Sequence, residues 1–315
     1  MFNEQTVTEN GIIDRLKGLS GVKWTYCHGE SLPKKAQDIF VDEWLKDALC
    51  SLNPDIAKQP DYADEVIHKL RGLILEARNT GLVKANENFQ EWLLAEKSLP
   101  FGENGDHITI NLIDFDNIAN NNFVVSQQVH YIAATEVYFD IVLYVTGIPL
   151  VVGEVKTATR PSVTWQDGAA DFMGGKKHYW KNVESFFVPN LLCFASEGKT
   201  FAYGAINARV KDWGPWHNTD QREEIMSGMA SVLQSAEGLL NPPTLLQLLE
   251  SFALFSTIKT GKNTPPKRIK ILPRYPQFEA AKQIVDRVRN GYPKKGLIWH
   301  FQGSGKSLLM LYAAK

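Results

Sequence analysis

Apolar and polar positions alternate with two different periods along the chain. One period predicts helices and the other predicts strands, so the change of period shows where each kind of element is expected. Helical spacing of apolar residues predicts three early helices, at 36–52, 62–80 and 86–97. From residue 108 onward, runs rich in Val, Ile and Tyr predict strands. These strands are expected at 108–114, 123–132, 137–146, 148–156, 190–196 and 200–206. Further helices are expected near 166–184, 219–239 and 243–258.

A second unit is predicted near the C-terminus. The polar, basic and proline-containing run KTGKNTPPKR at 259–268 is a candidate linker between the two units. After it come a predicted helix at 277–289, a strand-like run GLIWHF, the loop QGSGKS and a last helix. The expected fold class is therefore α/β. A mixed central sheet flanked by helices occupies 1–258, and the beginning of a second α/β domain occupies 269–315.

Composition narrows the class of protein. The chain is 44% apolar and 22% charged, which is typical of a globular protein. Its formal net charge is −1, so any nucleic-acid contact must come from a local basic patch. The three cysteines, Cys27, Cys50 and Cys193, are far apart, which favours reduced thiols over a disulfide or zinc framework. With neither a signal peptide nor an apolar run of the ~20 residues that span a bilayer, a cytoplasmic location and no membrane contact are expected.

Three charged residues converge on the predicted sheet. Asp140 lies early on one strand, and Glu154 and Lys156 lie on the next. Residues two apart on a strand share a face, so Glu154 and Lys156 point the same way. Thr146-Gly147 predicts a tight hairpin turn that brings Asp140 alongside them.

This group suits phosphodiester hydrolysis. Two carboxylates hold Mg²⁺ well, the Val155 carbonyl is a further candidate ligand, and a lysine can orient water or offset charge. The alternative interpretation is a salt bridge at a sheet edge, since short E-x-K patterns are common. The apolar run IPLVVGEV favours the catalytic interpretation, because burying the charge of Glu154 in such a run is costly unless the charge has a role.

A phosphate-binding loop is predicted at residues 300–307. Gly303 and Gly305 permit a close turn whose N–H groups cradle phosphates, with Gln302 and Ser304 in the same loop. Lys306 would reach the β- and γ-phosphates of ATP, and Ser307 would hold Mg²⁺. The first position of the usual motif is His300 rather than glycine.

The motif Asp140-x13-Glu154-x-Lys156 resembles that of PD-(D/E)xK nucleases. The surrounding segments LIDFDNIANNNFVVSQQ and FDIVLYVTGIPLVVGEVK resemble the nuclease domain of the restriction (R) subunit of type I restriction-modification enzymes. The resemblance implies that Asp140 and Glu154 bind Mg²⁺ and that Lys156 assists the water. The family's Q-x-x-x-Y element is not matched at Gln166, and Tyr179 is a candidate substitute for its tyrosine.

The loop H-x-Q-G-S-G-K-S resembles that of type I restriction motor subunits, which are superfamily 2 helicase-like translocases with RecA-like domains. Upstream, PRYPQFEAA resembles their Q-motif. The resemblance implies that Gln277 reads the adenine edge and that Arg274 or Tyr275 packs on its ring. A helix-capping role after Pro276 is the alternative interpretation.

The implied function is a Mg²⁺-dependent endonuclease that couples ATP-driven translocation to cleavage of double-stranded DNA. Methyltransferase and specificity subunits would supply recognition and modification. The alternatives are a helicase–nuclease of DNA repair or phage defence, a non-catalytic module that grips DNA, and a P-loop small-molecule kinase. The last helix carries no stop signal, so the chain is expected to be an N-terminal fragment with weak or absent ATPase activity.

Two further groups have open roles. Glu43 and Glu76 are candidates for an acidic residue that an early helix adds to the site, although solvated helix-face positions explain them equally well. The cluster Lys176, Lys177 and His178, followed by Tyr179 and Trp180, suits contact with a DNA backbone. A solvated helix face is its alternative interpretation.

Overall fold

A computed structural model describes residues 4–157, 162–174, 177–216, 227–259, 261, 264–300 and 302–315. A six-stranded mixed sheet is its centre, in the order β1-β4-β5-β6-β7-β8. Strand β1 pairs parallel with β4 and β6 parallel with β7, while the other neighbours are antiparallel. The prediction of a mixed central sheet with helices is confirmed.

The strands are β1 (Thr25–His28), β2 (Ser98–Leu99), β3 (Ile108–Thr109), β4 (Phe123–Ile132), β5 (Glu136–Val145), β6 (Ile148–Val155), β7 (Leu192–Ser196), β8 (Phe201–Gly204), β9 (Leu254–Ile258) and β10 (Lys267–Ile271). The α-helices are α1 (Glu4–Lys17), α2 (Asp42–Leu52), α3 (Pro54–Lys58), α4 (Asp61–Thr80), α5 (Leu82–Leu93), α6 (Trp165–Met173), α7 (Tyr179–Asn182), α8 (Met229–Leu240), α9 (Pro242–Gln247), α10 (Tyr275–Asn290) and α11 (Lys306–Ala314). Among the described residues, no helix has the length and apolar character needed to cross a membrane.

The β5–β6 hairpin has the tight turn that its sequence predicts. Its two turn residues, Thr146 and Gly147, have φ angles of 49° and 82°, as a tight hairpin turn requires. The left-handed conformation of Thr146 is supported by its hydroxyl, which donates to the Leu112 carbonyl at 2.9 Å. A Cβ on Gly147 would lie 2.5 Å from the Val41 carbonyl oxygen, so glycine is needed there.

Several predicted elements differ from the structure. The predicted helix at 243–258 ends early: α9 runs into a π-helical turn at Leu248–Phe252, and β9 follows. Of the strand-like run predicted at 296–301, residues 296–300 have no strand partner, Trp299 is 87% exposed, and Phe301 lies outside the described residues. The predicted strand at 108–114 is reduced to the two residues of β3. Helix α1 and strand β1 were not predicted, because α1 is mostly polar in sequence.

The predicted helix at 166–184 is divided into α6 and α7. The predicted linker at 259–268 lies between β9 and β10 and extends into β10 by Lys267 and Arg268. The boundary between two domains stays a prediction.

Aromatic side chains join the C-terminal helices to the rest of the chain. The ring of Phe278 on α10 lies 5.1 Å from that of Trp216 and 4.8 Å from that of Phe252. Phe252 also contacts Tyr312 of α11, with ring centroids 5.1 Å apart. The hydroxyl of Tyr203 on β8 donates to the Pro273 carbonyl, just before α10. The phosphate-loop segment therefore packs on the same core as the central sheet.

A buried lysine lies where β10 meets this core. Lys270 is 6% exposed, and its ammonium donates to the Asn86 side-chain oxygen at 3.0 Å and to the Asn190 carbonyl at 2.9 Å. Both partners are neutral, so they satisfy hydrogen bonds without offsetting the charge. Burial therefore lowers the pKa of Lys270 to about 7.

This lysine predicts a pH-dependent stability. An unfolded lysine titrates near ~10.4, so between pH 7 and that value the unfolded chain binds more protons and the free energy of unfolding rises with pH. Lys270→Met removes the effect. Between pH 7 and pH 9 the wild-type chain should gain about 2 kcal/mol relative to the variant. Urea unfolding at the two pH values measures this, and a pH-independent difference would contradict it.

Candidate functional site

The three predicted residues meet at the open end of the β5–β6 hairpin. The pair Ile141 and Gly153 is in register, and continuing that register places Asp140 opposite Glu154. Asp140 is 5% exposed and Glu154 is 1% exposed. The Val155 N–H donates to Asp140 Oδ2 at 2.7 Å, which fixes one oxygen of this carboxylate.

Glu154 is held by three donors. Its Oε1 accepts from Lys156 Nζ at 2.7 Å and from Lys177 Nζ, and its Oε2 accepts from the Tyr179 hydroxyl at 3.0 Å. Tyr179 was the candidate substitute for the family's tyrosine, and it does contact the site. Burial, together with the negative charge of Glu154 and Asp140, raises the pKa of this phenol above its ordinary value, so it stays a donor.

Asp171 is a site residue that sequence reasoning missed. Its Oδ2 accepts from Lys156 Nζ at 2.6 Å and lies 3.9 Å from Lys177 Nζ. Although burial opposes the charge of Lys156, Glu154 and Asp171 together hold the pKa of this lysine above its ordinary value. Helix α6 brings Asp171 close because Gly168 lets it approach the sheet. A Cβ there would lie 3.2 Å from Ala195 Cβ and 3.5 Å from Glu154 Cγ.

A second missed acid, Glu9, comes from α1. It is 2% exposed, and its Oε2 accepts from Gln127 Nε2 at 2.6 Å and from Gln128 Nε2 at 3.3 Å. Gln128 Nε2 also lies 3.5 Å from Asp140 Oδ1, so one amide links the two acids. Gln128 reaches both because its φ of 54° is left-handed, which is rare inside a strand and typical of functional sites.

The buried carboxylates act on one another. Burial first, and then the negative charges of Glu154 and Glu9, raise the pKa of Asp140 to about 8. Lys177 and the hydrogen bond from Val155 oppose this shift. The site therefore concentrates negative charge that a cation would stabilise.

Other candidates lie elsewhere. Glu43 and Glu76 are exposed on α2 and α4, so the early-helix acid near the site is Glu9 instead. Gln166 is exposed at the start of α6. Trp180 is 5% exposed and packs on Phe172, with ring centroids 5.8 Å apart, so it is not available to DNA. Lys176 lies outside the described residues.

The donor set suits a hard divalent cation. Asp140 and Glu154 supply carboxylate oxygens, and Val155 lies between Glu154 and Lys156 with a main-chain carbonyl that can add a ligand. The excess buried negative charge around Asp140 fits such an ion. In the described part of the chain, no group of three or more His, Cys, Asp or Glu side chains is placed to hold a metal. Any metal here would therefore rest on two carboxylates, with main-chain and solvent oxygens completing its shell.

The phosphate loop has the backbone that its glycines predict. Gly303 and Gly305 have φ angles of 81° and 82°, in the left-handed region, and Lys306 begins α11. The Lys306 ammonium lies 3.3 Å from the His300 carbonyl oxygen and is exposed, as Gln302 and Ser307 are. Ser304 is 8% exposed, and its hydroxyl has no hydrogen-bond partner in the part of the chain that is described.

The Q-motif-like segment contacts this loop directly. Gln277 Nε2 donates to the Ser304 carbonyl at 3.0 Å, and its Oε1 accepts from the Arg274 N–H at 2.8 Å. A cleft of about 410 Å³ lies beside it, lined by Arg274, Pro276, Gln277, Trp299, His300 and Ser304. Tyr275 is 5% exposed and packs on Trp216 instead, so it does not face this cleft.

Two family models match separate parts of this chain. The family described as "Type I restriction enzyme R protein N terminus" matches residues 1–211, and the family described as "SWI2/SNF2 ATPase" matches residues 276–315. The type I restriction enzyme HindI endonuclease subunit of Haemophilus influenzae is 28% identical over 334 aligned positions, covering all of this chain and 30% of that protein. A Methanocaldococcus jannaschii protein, provisionally named type I restriction enzyme MjaIXP endonuclease subunit, is 25% identical, covering all of this chain and 31% of that protein.

The chain thus spans about a third of the length of these curated relatives. The first family match extends over more than half of its residues, so the chain belongs to the family of type I restriction enzyme R protein N termini.

Proposed function

We propose that this chain carries the DNA-cleaving site of a type I restriction endonuclease, and that the site is Mg²⁺-dependent and of the PD-(D/E)xK type. The observation that carries the proposal is the cluster of the buried Asp140 and Glu154 with the partly buried Lys156 at the end of one hairpin. Glu154 is paired within the protein, but burial and the nearby acids disfavour the charge of Asp140, which a bound cation would stabilise. The family match and the names of the relatives support the same assignment.

Asp140, Glu154 and the Val155 carbonyl would hold the Mg²⁺ ion. When bound, the ion would polarise the phosphate and lower the pKa of the attacking water. Lys156 lies beside Glu154 and is charged, so it can orient that water and offset charge in the transition state. Tyr179 and the Val155 N–H fix the two carboxylates, and Gln128 orients the remaining oxygen of Asp140.

The second part of the proposal concerns ATP. Gln302, Gly303, Ser304, Gly305, Lys306 and Ser307 would bind the phosphates, and Arg274 and Gln277 line the cleft beside them. Because Gln277 already donates to the Ser304 carbonyl, we expect it to support the loop as well as the nucleotide. In the complete enzyme this nucleotide site would belong to a translocating motor.

The proposed partners are double-stranded DNA and the methyltransferase and specificity subunits of a restriction-modification complex. A cytoplasmic location follows from the proposal, since the substrate is DNA that has entered the cell. A helicase–nuclease of repair or phage defence would use the same two sites, and the family match is what favours restriction.

Metal binding is predicted to depend on Asp140. The wild-type chain should gain about 3 °C in Tm at a Mn²⁺ concentration tenfold above Kd, because the ion binds only the folded state. Asp140→Asn should lose this gain. Without metal its Tm should match or exceed that of the wild type, because a repelled buried carboxylate is removed. Thermal unfolding with and without Mn²⁺ tests this. Glu43→Gln, on an exposed helix face, is the matched control and should respond like the wild type.

Cleavage is predicted to require both carboxylates. In the complete R subunit assembled with its partners, Asp140→Ala or Glu154→Ala should slow DNA cleavage by about 100-fold or more. ATP-driven movement along DNA should continue, since the phosphate loop is unchanged. Cleavage at the wild-type rate by either variant would show that the assignment of these carboxylates to the cleavage site is wrong.

Lys306 of the phosphate loop is predicted to be required for ATP hydrolysis but not for metal binding. Lys306→Ala in the complete R subunit should abolish ATP hydrolysis and ATP-dependent cleavage, because it removes the charge expected at the β- and γ-phosphates. The Mn²⁺-induced rise in Tm of the present chain should be unchanged by this substitution. If Lys306→Ala left ATP hydrolysis intact, the assignment of the loop would be wrong.

A further inference from the structure

Lys177 contributes a second ammonium to the candidate cleavage site. It lies in the turn between α6 and α7, and its Nζ donates to Glu154 Oε1, the oxygen that Lys156 also contacts. With Tyr179 on Oε2, both oxygens of this carboxylate are engaged by side-chain donors. A metal ion that binds Glu154 through Oε1 must therefore compete with an ammonium that already occupies this oxygen.

The main chain fixes the position from which Lys177 reaches the site. Asn182 Nδ2 donates to the Lys177 carbonyl at 2.8 Å, and the His178 N–H donates to the Gly174 carbonyl at 2.9 Å. Helix α7 begins at Tyr179, whose ring lies 5.3 Å from the Lys177 ammonium. The peptide group that joins Lys177 to His178 is therefore anchored through both its carbonyl and its N–H, while the Lys177 side chain spans the gap to Glu154.

The two lysines are held with different strength. Lys156 has a side chain 20% exposed and a second carboxylate, that of Asp171, at 2.6 Å. Lys177 has a side chain 37% exposed, and its distance to the same Asp171 oxygen is 3.9 Å. A divalent cation that binds Glu154 therefore displaces Lys177 more easily than Lys156, because the ion pair with Asp171 holds Lys156 beside Glu154.

We propose that Lys177 is a further residue of the cleavage site, which holds Glu154 in the metal-free chain, yields it to a divalent cation and then binds a DNA phosphate. This inference rests on the proposed function. Lys156 and Lys177 already share Glu154 Oε1, and both would repel a third positive charge on that oxygen, so a metal ion that binds there displaces the more weakly held ammonium of Lys177. The released ammonium stays at the solvent-facing side of the cluster, where a phosphate is its natural partner.

Removing the ammonium tests the first half of this exchange. Calorimetric titration of the present chain with Mn²⁺ should give a Kd for Lys177→Gln that is roughly three- to tenfold lower than that of the wild type, because the competing ion pair is gone. Lys177→Arg keeps the charge and should bind Mn²⁺ like the wild type. Lys181→Gln, exposed on α7, is the matched control and should leave the Kd unchanged. An unchanged or higher Kd for Lys177→Gln would overturn the inference.

Cleavage at saturating Mg²⁺ tests the second half. In the complete R subunit with its partners, Lys177→Gln should cleave DNA roughly tenfold or more slowly than the wild type despite binding metal more tightly. Lys177→Arg should restore much of the rate, since it offers a phosphate the same charge. Wild-type cleavage by Lys177→Gln would also overturn the inference. Failure of the wild type to bind Mn²⁺ would instead refute the proposed function, so the two failures are distinguishable.

Discussion

The burial of the Glu154 carboxylate is the constraint on which the rest of the site depends. At 1% exposure it has lost its water, and a buried charge is tolerated only with close partners. Lys156, Lys177 and Tyr179 supply them, and Asp171 in turn holds Lys156. Among the described residues, the neighbouring Asp140 has no such set of cations, and burial together with the charges of Glu154 and Glu9 raises its pKa. The charge of Glu154 is thus neutralised within the protein, whereas the charge of Asp140 is not.

The fold assembles these partners from distant parts of the chain. The hairpin places Asp140 beside Glu154, α6 brings Asp171, the turn before α7 brings Lys177, and α1 brings Glu9. Lys156 follows the strand of Glu154 directly, and the other two donors to this carboxylate come from the segment around the start of α7. The same core also holds the phosphate-loop segment through Trp216, Phe252 and Phe278. The sheet that carries Asp140 and Glu154 and the segment that carries the glycine-rich loop therefore share one packed core.

The local parts of this arrangement could be predicted from sequence. Strands β4, β5 and β6, the Thr146-Gly147 turn and the Glu154–Lys156 pair depend on periodicity and on neighbouring residues, and the structure confirms them. Asp171 and Glu9 could not be predicted, because their roles arise from tertiary contacts between separate elements. Lys177 was a candidate for contact with a DNA backbone, but its ion pair with Glu154 could not be predicted for the same reason. Glu9 was hidden because α1 is mostly polar, with few apolar positions to mark its buried face. At 296–300 the sequence predicts a strand that the structure does not have. An apolar, strand-like segment forms a strand only where a neighbouring strand can pair with it.

The most direct test of the account is to locate the metal. Crystals of this chain soaked in Mn²⁺ should show an anomalous difference peak between the carboxylates of Asp140 and Glu154. The peak should be absent from crystals of the Asp140→Asn variant. The same map should show the Lys177 ammonium moved away from Glu154. A chain that binds Mn²⁺ elsewhere, or that leaves Asp140 and Glu154 without a shared ion at saturating concentration, would contradict the assignment of this cluster as the cleavage site.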